Sequence, residues 1–110
     1  MASTAESTVV DAPERERFVI RVGDRLAGFT VYRRRGKLIA FVHTEIDPEF
    51  EGQGLGGRLV AAALDAAREQ GLRVLPFCPF VRKYIAEHPG EYLDLVPADQ
   101  REHFDLPADG

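Results

Sequence analysis

The sequence holds a single cysteine, Cys78, among 110 residues. No intramolecular disulfide can form, so a reducing compartment is the expected home, with the cytoplasm as the default. Long apolar runs are missing as well. The longest nearly uncharged stretch, Leu38 to Val42, falls far short of the roughly 20 apolar residues that a membrane-spanning helix needs. Nor does a basic start followed by an apolar run open the sequence, so neither membrane insertion nor secretion is expected. Positive charge is in the minority: 14 Lys and Arg against 18 Asp and Glu give a net charge of −4, a poor balance for binding nucleic acid. The one basic run, Arg33, Arg34 and Arg35 before Gly36, falls where a hairpin turn is expected. It reads either as a solvated turn or as a contact for a phosphate-bearing ligand or acidic partner. His88, beside Pro89, and His103, in the C-terminal tail, are too isolated for a metal site, and no metal is expected.

What is present suits one soluble domain. Hydrophobic residues make up 45% and charged residues 29% of the chain, ordinary values for a globular protein and far from the composition of disorder. Residues 1–16, rich in Ala, Ser, Thr and Glu with Pro13 near their end, are expected to be a disordered lead-in. The domain is expected over residues 17–105, with a loose tail at 106–110. Alternating apolar residues from Phe18 to Val22, a Gly23-Asp24 turn and a β-rich run from Leu26 to Arg33 predict a hairpin. A second turn over Arg34 to Gly36 leads into Lys37 to Ile46, where Leu38, Ile39, Ala40, Phe41 and Val42 in succession predict a central strand covered on both faces. Asp47-Pro48 ends it. From Leu55 to Gln70 the spacing of Leu55, Leu59, Ala62, Ala63 and Ala66 predicts an amphipathic helix closed by Gly71. A short strand from Leu72 to Phe77 follows, then a helix begun by Pro79 and stopped at His88-Pro89-Gly90. Strand, strand, strand, helix, strand, helix is an α+β order. A right-handed crossover should set the last strand parallel to the central one.

Between the central strand and the long helix lies Glu51-Gly52-Gln53-Gly54-Leu55-Gly56-Gly57. Glycines let backbone amides approach a ligand closely, and the unpaired amides and positive dipole end of a helix favour phosphate. The bland alternative is a flexible turn that merely starts the helix. A Walker A loop would need Lys then Ser or Thr, where Arg58 and Leu59 stand. The dinucleotide fingerprint would need an acidic residue at the end of the next strand, and Val74 to Phe77 contains none.

The stretch Ile46 to Val60, IDPEFEGQGLGGRLV, resembles the acyl-CoA-binding motif of the GNAT superfamily of acyl-CoA N-acyltransferases, Q/R-x-x-G-x-G/A, with Gly54 and Gly56 on its glycine positions. Glu51 departs from the pattern, standing where the family usually has Arg or Gln, and an extra carboxylate beside a pyrophosphate should weaken binding. HTEIDPEFEGQGLGGRLVAAAL together with CPFVRKYIAEHPGEY is similar to a subgroup of very small GNAT proteins, and the likeness covers about Phe18 to Tyr92. The resemblance implies a minimal GNAT fold whose central strand splays from the last one at the acyl-CoA site. It also implies acetyl-CoA as cosubstrate and transfer of an acetyl group to an amine, on a small molecule or protein, by a monomer or weak dimer. Ile46, Gly52, Gln53, Gly54, Leu55, Gly56, Gly57, Arg58, Phe80 and Tyr84 become the expected cofactor-binding residues.

For the chemistry, strict alternation puts His43 and Glu45 on one face with Ile39 and Phe41, roughly 6.5 Å apart, so either is a candidate general base. The plain alternative is a pair of edge-exposed polar groups. Cys78, at the N-cap of the last helix and near Arg82 and Lys83, is placed to be reactive, or else is buried packing. In the small subgroup the same Cys-Pro-Phe context implies a role in acyl transfer, directly or through an acyl-cysteine. Tyr84 matches in position the tyrosine that many family members use to protonate the coenzyme A thiolate, or it is an aromatic packing residue. The alternative function is a non-catalytic acyl-CoA sensor or interaction module, for which Glu51 is the best support.

Overall fold

The computed structural model describes residues 6–107 of the chain. A five-stranded sheet in the order β1-β2-β3-β4-β5 forms its centre: β1 Ser7–Ala12, β2 Arg17–Val22, β3 Arg25–Arg35, β4 Leu38–Ile46 and β5 Arg73–Pro76. The first three pairings are antiparallel and β4 with β5 is parallel, as a crossover through a helix requires. That helix, α1, runs Leu55–Glu69. Its apolar stripe of Leu55, Leu59, Val60, Ala63, Leu64 and Ala67 is buried, and it touches all five strands. Beneath it lie Phe18, Ile20, Tyr32, Ile39, Phe41 and Val74. Helix α2, Pro79–Glu87, buries Val81 and Ile85. A one-turn helix α3, Pro89–Tyr92, leads into two single-turn 3-10 segments.

Three expectations are corrected. Residues 7–12 are not a disordered lead-in but edge strand β1, paired over its whole length with β2. The Tyr32 hydroxyl donates to Asp11 at 2.7 Å and ties the strand to the core, while residues 1–5 lie outside the described residues. At the other end Leu106 is buried and its amide donates to the Arg101 carbonyl at 2.8 Å, so the tail is anchored through Leu106, and residues 108–110 lie outside the described residues. The turn between β3 and β4 is Gly36-Lys37, with Gly36 at φ 57. Arg33, Arg34 and Arg35 therefore belong to the strand: Arg34 donates to Gln70 at 2.8 Å and Arg33 lies 3.6 Å from Glu16.

One irregularity decides the site. Tyr32 pairs with Phe41, but Val31 pairs with His43. Val42 is an extra residue on β4, a bulge that reverses which face each later side chain takes. Ile39 and Phe41 face α1 and are buried, whereas His43 and Glu45 fall on the opposite face and Thr44 and Ile46 take the inner one. Val42 and Leu38 are exposed. The apolar run in β4 is thus covered on one face only, contrary to the reading of its sequence.

Candidate active site

The parallel ladder stops early. β4 and β5 pair from Leu38–Arg73 to Phe41–Pro76, the Cys78 amide donates to the Phe41 carbonyl at 2.8 Å, and beyond that Val42–Ile46 has no β5 partner. Pro76 lacks an amide to continue the ladder, and the chain turns there, with the Phe77 amide donating to the Leu75 carbonyl at 3.1 Å. A cleft of ≈ 370 Å³ opens at this divergence. Its walls are Thr44 and Ile46 of β4, the loop from Phe50 through Gly54, the first turn of α1 and Phe80 of α2.

The loop is shaped by its ends. The Asp47 carboxylate accepts from the Glu49 amide at 2.9 Å and starts a 3-10 turn over Pro48–Phe50. Gly52 and Gly54 adopt φ of 83° and 74°, left-handed values that side chains with a Cβ resist. Gly54 is the N-cap of α1 and offers no side chain to cap it. The first helical bond runs from the Arg58 amide to the Gly54 carbonyl at 3.2 Å, so the amides of Leu55, Gly56 and Gly57 precede the helical ladder and carry the positive end of the α1 dipole. Gly56 is needed for a second reason: a Cβ there would sit 2.5 Å from Phe80 Cζ, so the absence of a side chain lets the Phe80 ring pack on the helix. The arrangement suits an anionic group at the glycines and an apolar chain between Ile46, Leu55 and Phe80.

Behind the cleft lies a line of hydrogen-bonding side chains. Thr30 is fully buried, the one buried polar residue in the core of the described residues. Its hydroxyl lies 2.9 Å from that of Thr44 and 3.4 Å from the His43 carbonyl at the bulge. Thr44 Oγ1 in turn lies 3.3 Å from Cys78 Sγ. Cys78 is the N-cap of α2, as its sequence context predicts, but its sulfur makes no capping bond and is turned inward to Thr44, 3% exposed.

Of the expected binding residues, Ile46, Gly52, Gly54, Leu55, Gly56, Gly57 and Phe80 line the cleft, joined by Glu51. Gln53, Arg58 and Tyr84 do not. Arg58 is turned toward β1 and donates to Ser7 Oγ at 2.5 Å. Tyr84 lies one turn along α2, its ring 3.4 Å from a Cβ built on Gly57 and stacked on His88 at 4.2 Å. Burial, with Glu91 and Asp65 adding, holds its phenol above the ordinary value, so it carries its proton at neutral pH. His43 and Glu45 face away from the cleft and from Phe41. They bond to each other at 2.8 Å and stay more than half exposed. Thr30, Thr44 and Phe50 were not singled out by the sequence reading. Thr44 is hidden by the bulge, since strict alternation assigns it to the wrong face.

A larger groove, ≈ 580 Å³, lies at the other end of α1 between Arg68, Gly90, Asp94 and Arg101. It meets the negative end of the helix dipole, and Arg68 is already bound to Asp94 at 2.8 and 2.9 Å. Among the described residues no group of three or more His, Cys, Asp or Glu is disposed to hold a metal, and no helix is long and apolar enough to cross a membrane.

A mixed sheet parted between a bulged strand and its parallel neighbour, with a glycine-started helix at the gap, is the architecture of an acyltransferase. The family model described as GCN5-related N-acetyl-transferase matches residues 17–95, and the chain belongs to that family. It is 31% identical over 85 residues to Protein NATD1 of Homo sapiens, covering 74% of this chain and 75% of the relative. The protein of the same name in Danio rerio is 27% identical over 108 residues, 87% of this chain and 98% of the relative. A GCN5-like protein of Staphylococcus aureus, solved by NMR, superposes with a TM-score of 0.61 at 27% identity, covering 86% of this chain and 90% of that one.

Proposed function

We propose that this protein is an acetyl-CoA-dependent N-acetyltransferase. The observation that carries the reading is the cleft between the unpaired end of β4 and the glycine-started first turn of α1. Amides of Leu55, Gly56 and Gly57 receive the coenzyme diphosphate at the positive end of a 15-residue helix. Ile46, Phe50, Leu55 and Phe80 cover the pantetheine arm, which leads the thioester toward Thr44 and Cys78. In the reaction an uncharged amine attacks the thioester carbonyl, a C–N bond forms, the C–S bond breaks, and the amine's proton ends on the coenzyme sulfur. We assign delivery of that proton to Cys78 or Tyr84, and membership in an acyltransferase family supports the chemistry. His43 and Glu45 lie across β4 and would serve only an acceptor arriving from the outer face.

Incubation with acetyl-CoA and a panel of primary amines, followed by free-thiol release and product mass, tests the proposal. Release above the amine-free blank is expected, and its absence across small amines and lysine peptides would overturn it. Intact mass distinguishes direct transfer from an acyl-Cys78 route: only the latter gives an acetyl adduct that Cys78→Ser loses. Glu51, on the wall of the same cleft, favours a second reading, an acyl-CoA-binding module without turnover. Stabilisation by coenzyme A in a thermal-shift titration without product would select it.

A further inference from the structure

The three side chains Thr30, Thr44 and Cys78 form a hydrogen-bonded line that begins inside the sheet and ends on the Cys78 sulfur behind the cleft. From Thr30 Oγ1 to Thr44 Oγ1 is 2.9 Å and from there to Cys78 Sγ 3.3 Å; the far end rests on the His43 carbonyl at 3.4 Å. Threonine is an unexpected occupant of position 30. The site is wholly buried, and the neighbours on its face, Phe18, Ile20, Tyr32 and Phe41, form the apolar core. Valine would fill the same shape without desolvating a hydroxyl, which costs free energy unless it is hydrogen-bonded.

Each member can serve as donor or acceptor except the terminal carbonyl, which only accepts. With Cys78 as a thiol, one order satisfies every proton: the thiol donates to Thr44, Thr44 to Thr30, and Thr30 to the His43 carbonyl. Once the sulfur has lost its proton it can only accept, and the opposite order satisfies it: Thr30 donates to Thr44 and Thr44 donates to the sulfur. No hydroxyl gains or loses a proton between the two; each only rotates. From this geometry we infer that Thr44, and Thr30 behind it, are positioning residues that let Cys78 release and recover its proton while the sulfur and both hydroxyls stay hydrogen-bonded. The inference rests on the acyltransferase reading for its purpose, since either route considered for Cys78, proton donor or nucleophile, requires a sulfur that alternates between these states. The chain of bonds itself does not depend on any ligand.

The test uses the protein free of coenzyme, so a failure to bind acyl-CoA leaves it intact. With one cysteine in the chain, the S–H stretch in the infrared is a single band that reports what the thiol donates to. In Thr44→Val the band is expected to move to higher wavenumber, toward a thiol with no acceptor. Thr30→Val, which leaves the Thr44 hydroxyl beside the sulfur in place, is expected to move it in the same direction, because the Thr44 hydroxyl, deprived of Thr30, turns its proton onto Sγ and no longer accepts from it. Thr30→Ser and Thr44→Ser are expected to keep the native band. A native S–H band in Thr44→Val or in Thr30→Val would overturn the inference.

Discussion

Gly56→Ala offers a sharp perturbation of the cleft. The added methyl would lie 2.5 Å from Phe80 Cζ, with the two Cε atoms at 3.1 and 3.3 Å. Carbon atoms rest about 3.5 to 4.0 Å apart, so the ring must retreat by about 1 to 1.5 Å. Phe80 is 44% exposed, which leaves it room to swing outward. The usual overpacking penalty of about 1 to 3 kcal/mol is therefore largely avoided, and exchanging glycine for alanine in a helix returns about 0.5 to 1 kcal/mol. Net stability should change by less than about 1 kcal/mol. The cleft, however, loses its fitted wall, since Phe80 can no longer pack on Gly56 where both line it. Affinity for coenzyme A is expected to fall about tenfold, roughly 1.4 kcal/mol. Gly57→Ala is the control: it gains the same helix propensity, but its methyl meets Tyr84 Cε1 at 3.4 Å, an ordinary contact, and binding should change less than about threefold. Calorimetric titration of both variants, beside urea unfolding, checks the pair. Equal affinity in Gly56→Ala and the native protein would refute the role given to the Phe80 wall.

Gly28 faces the opposite situation, because its Cβ would meet the Glu45 carbonyl oxygen and Ile46 Cδ1, both at 2.5 Å. A backbone carbonyl held by the pairing of β3 with β4 cannot swing away as a side chain can, so Gly28→Ala should cost about 1 to 3 kcal/mol in urea unfolding. Tyr32→Phe removes the hydroxyl that holds Asp11, and should cost about 1 kcal/mol while speeding amide exchange in β1 ahead of β2. The Arg68 guanidinium holds the Asp94 carboxyl below the usual carboxylate range. A depressed folded-state pKa stabilises above the unfolded value, about 4, and the gain is lost as pH falls through the folded value. Asp94 is 62% exposed, so Asp94→Asn should cost only about 0.5 kcal/mol at pH 7, and the difference from the native protein should close as the pH falls below about 4.

Where local chemistry dictates structure, the residues announce it. The Leu55-Leu59-Ala63 stripe gives α1 as Leu55–Glu69, and Pro79 with His88-Pro89 brackets α2 at Pro79–Glu87. The glycine loop and its place at the helix start were legible for the same reason. Edge strand β1 was not: Ser7–Ala12 carries only two large apolar residues, Val9 and Val10, before Pro13. Its order comes from pairing with β2 and from the Asp11–Tyr32 bond, which are tertiary contacts. The bulge at Val42 leaves no mark on a run of β-formers, yet one extra residue moves His43 and Glu45 out of the cleft and Thr44 into it. Side-chain parity past a bulge cannot be counted from sequence. Nor can Cys78, whose position before Pro79 predicts the N-cap, reveal that its sulfur turns inward to Thr44.

The central claim is that the backbone amides at the start of α1 hold the diphosphate of coenzyme A. Titrating the isotopically labelled protein with coenzyme A and following its amide resonances by NMR tests this most directly. The account predicts that the largest shifts fall on Gly52, Gly54, Leu55, Gly56 and Gly57. Resonances unmoved at millimolar coenzyme, or shifts centred on the groove of Arg68 and Gly90 at the far end of the helix, would contradict it.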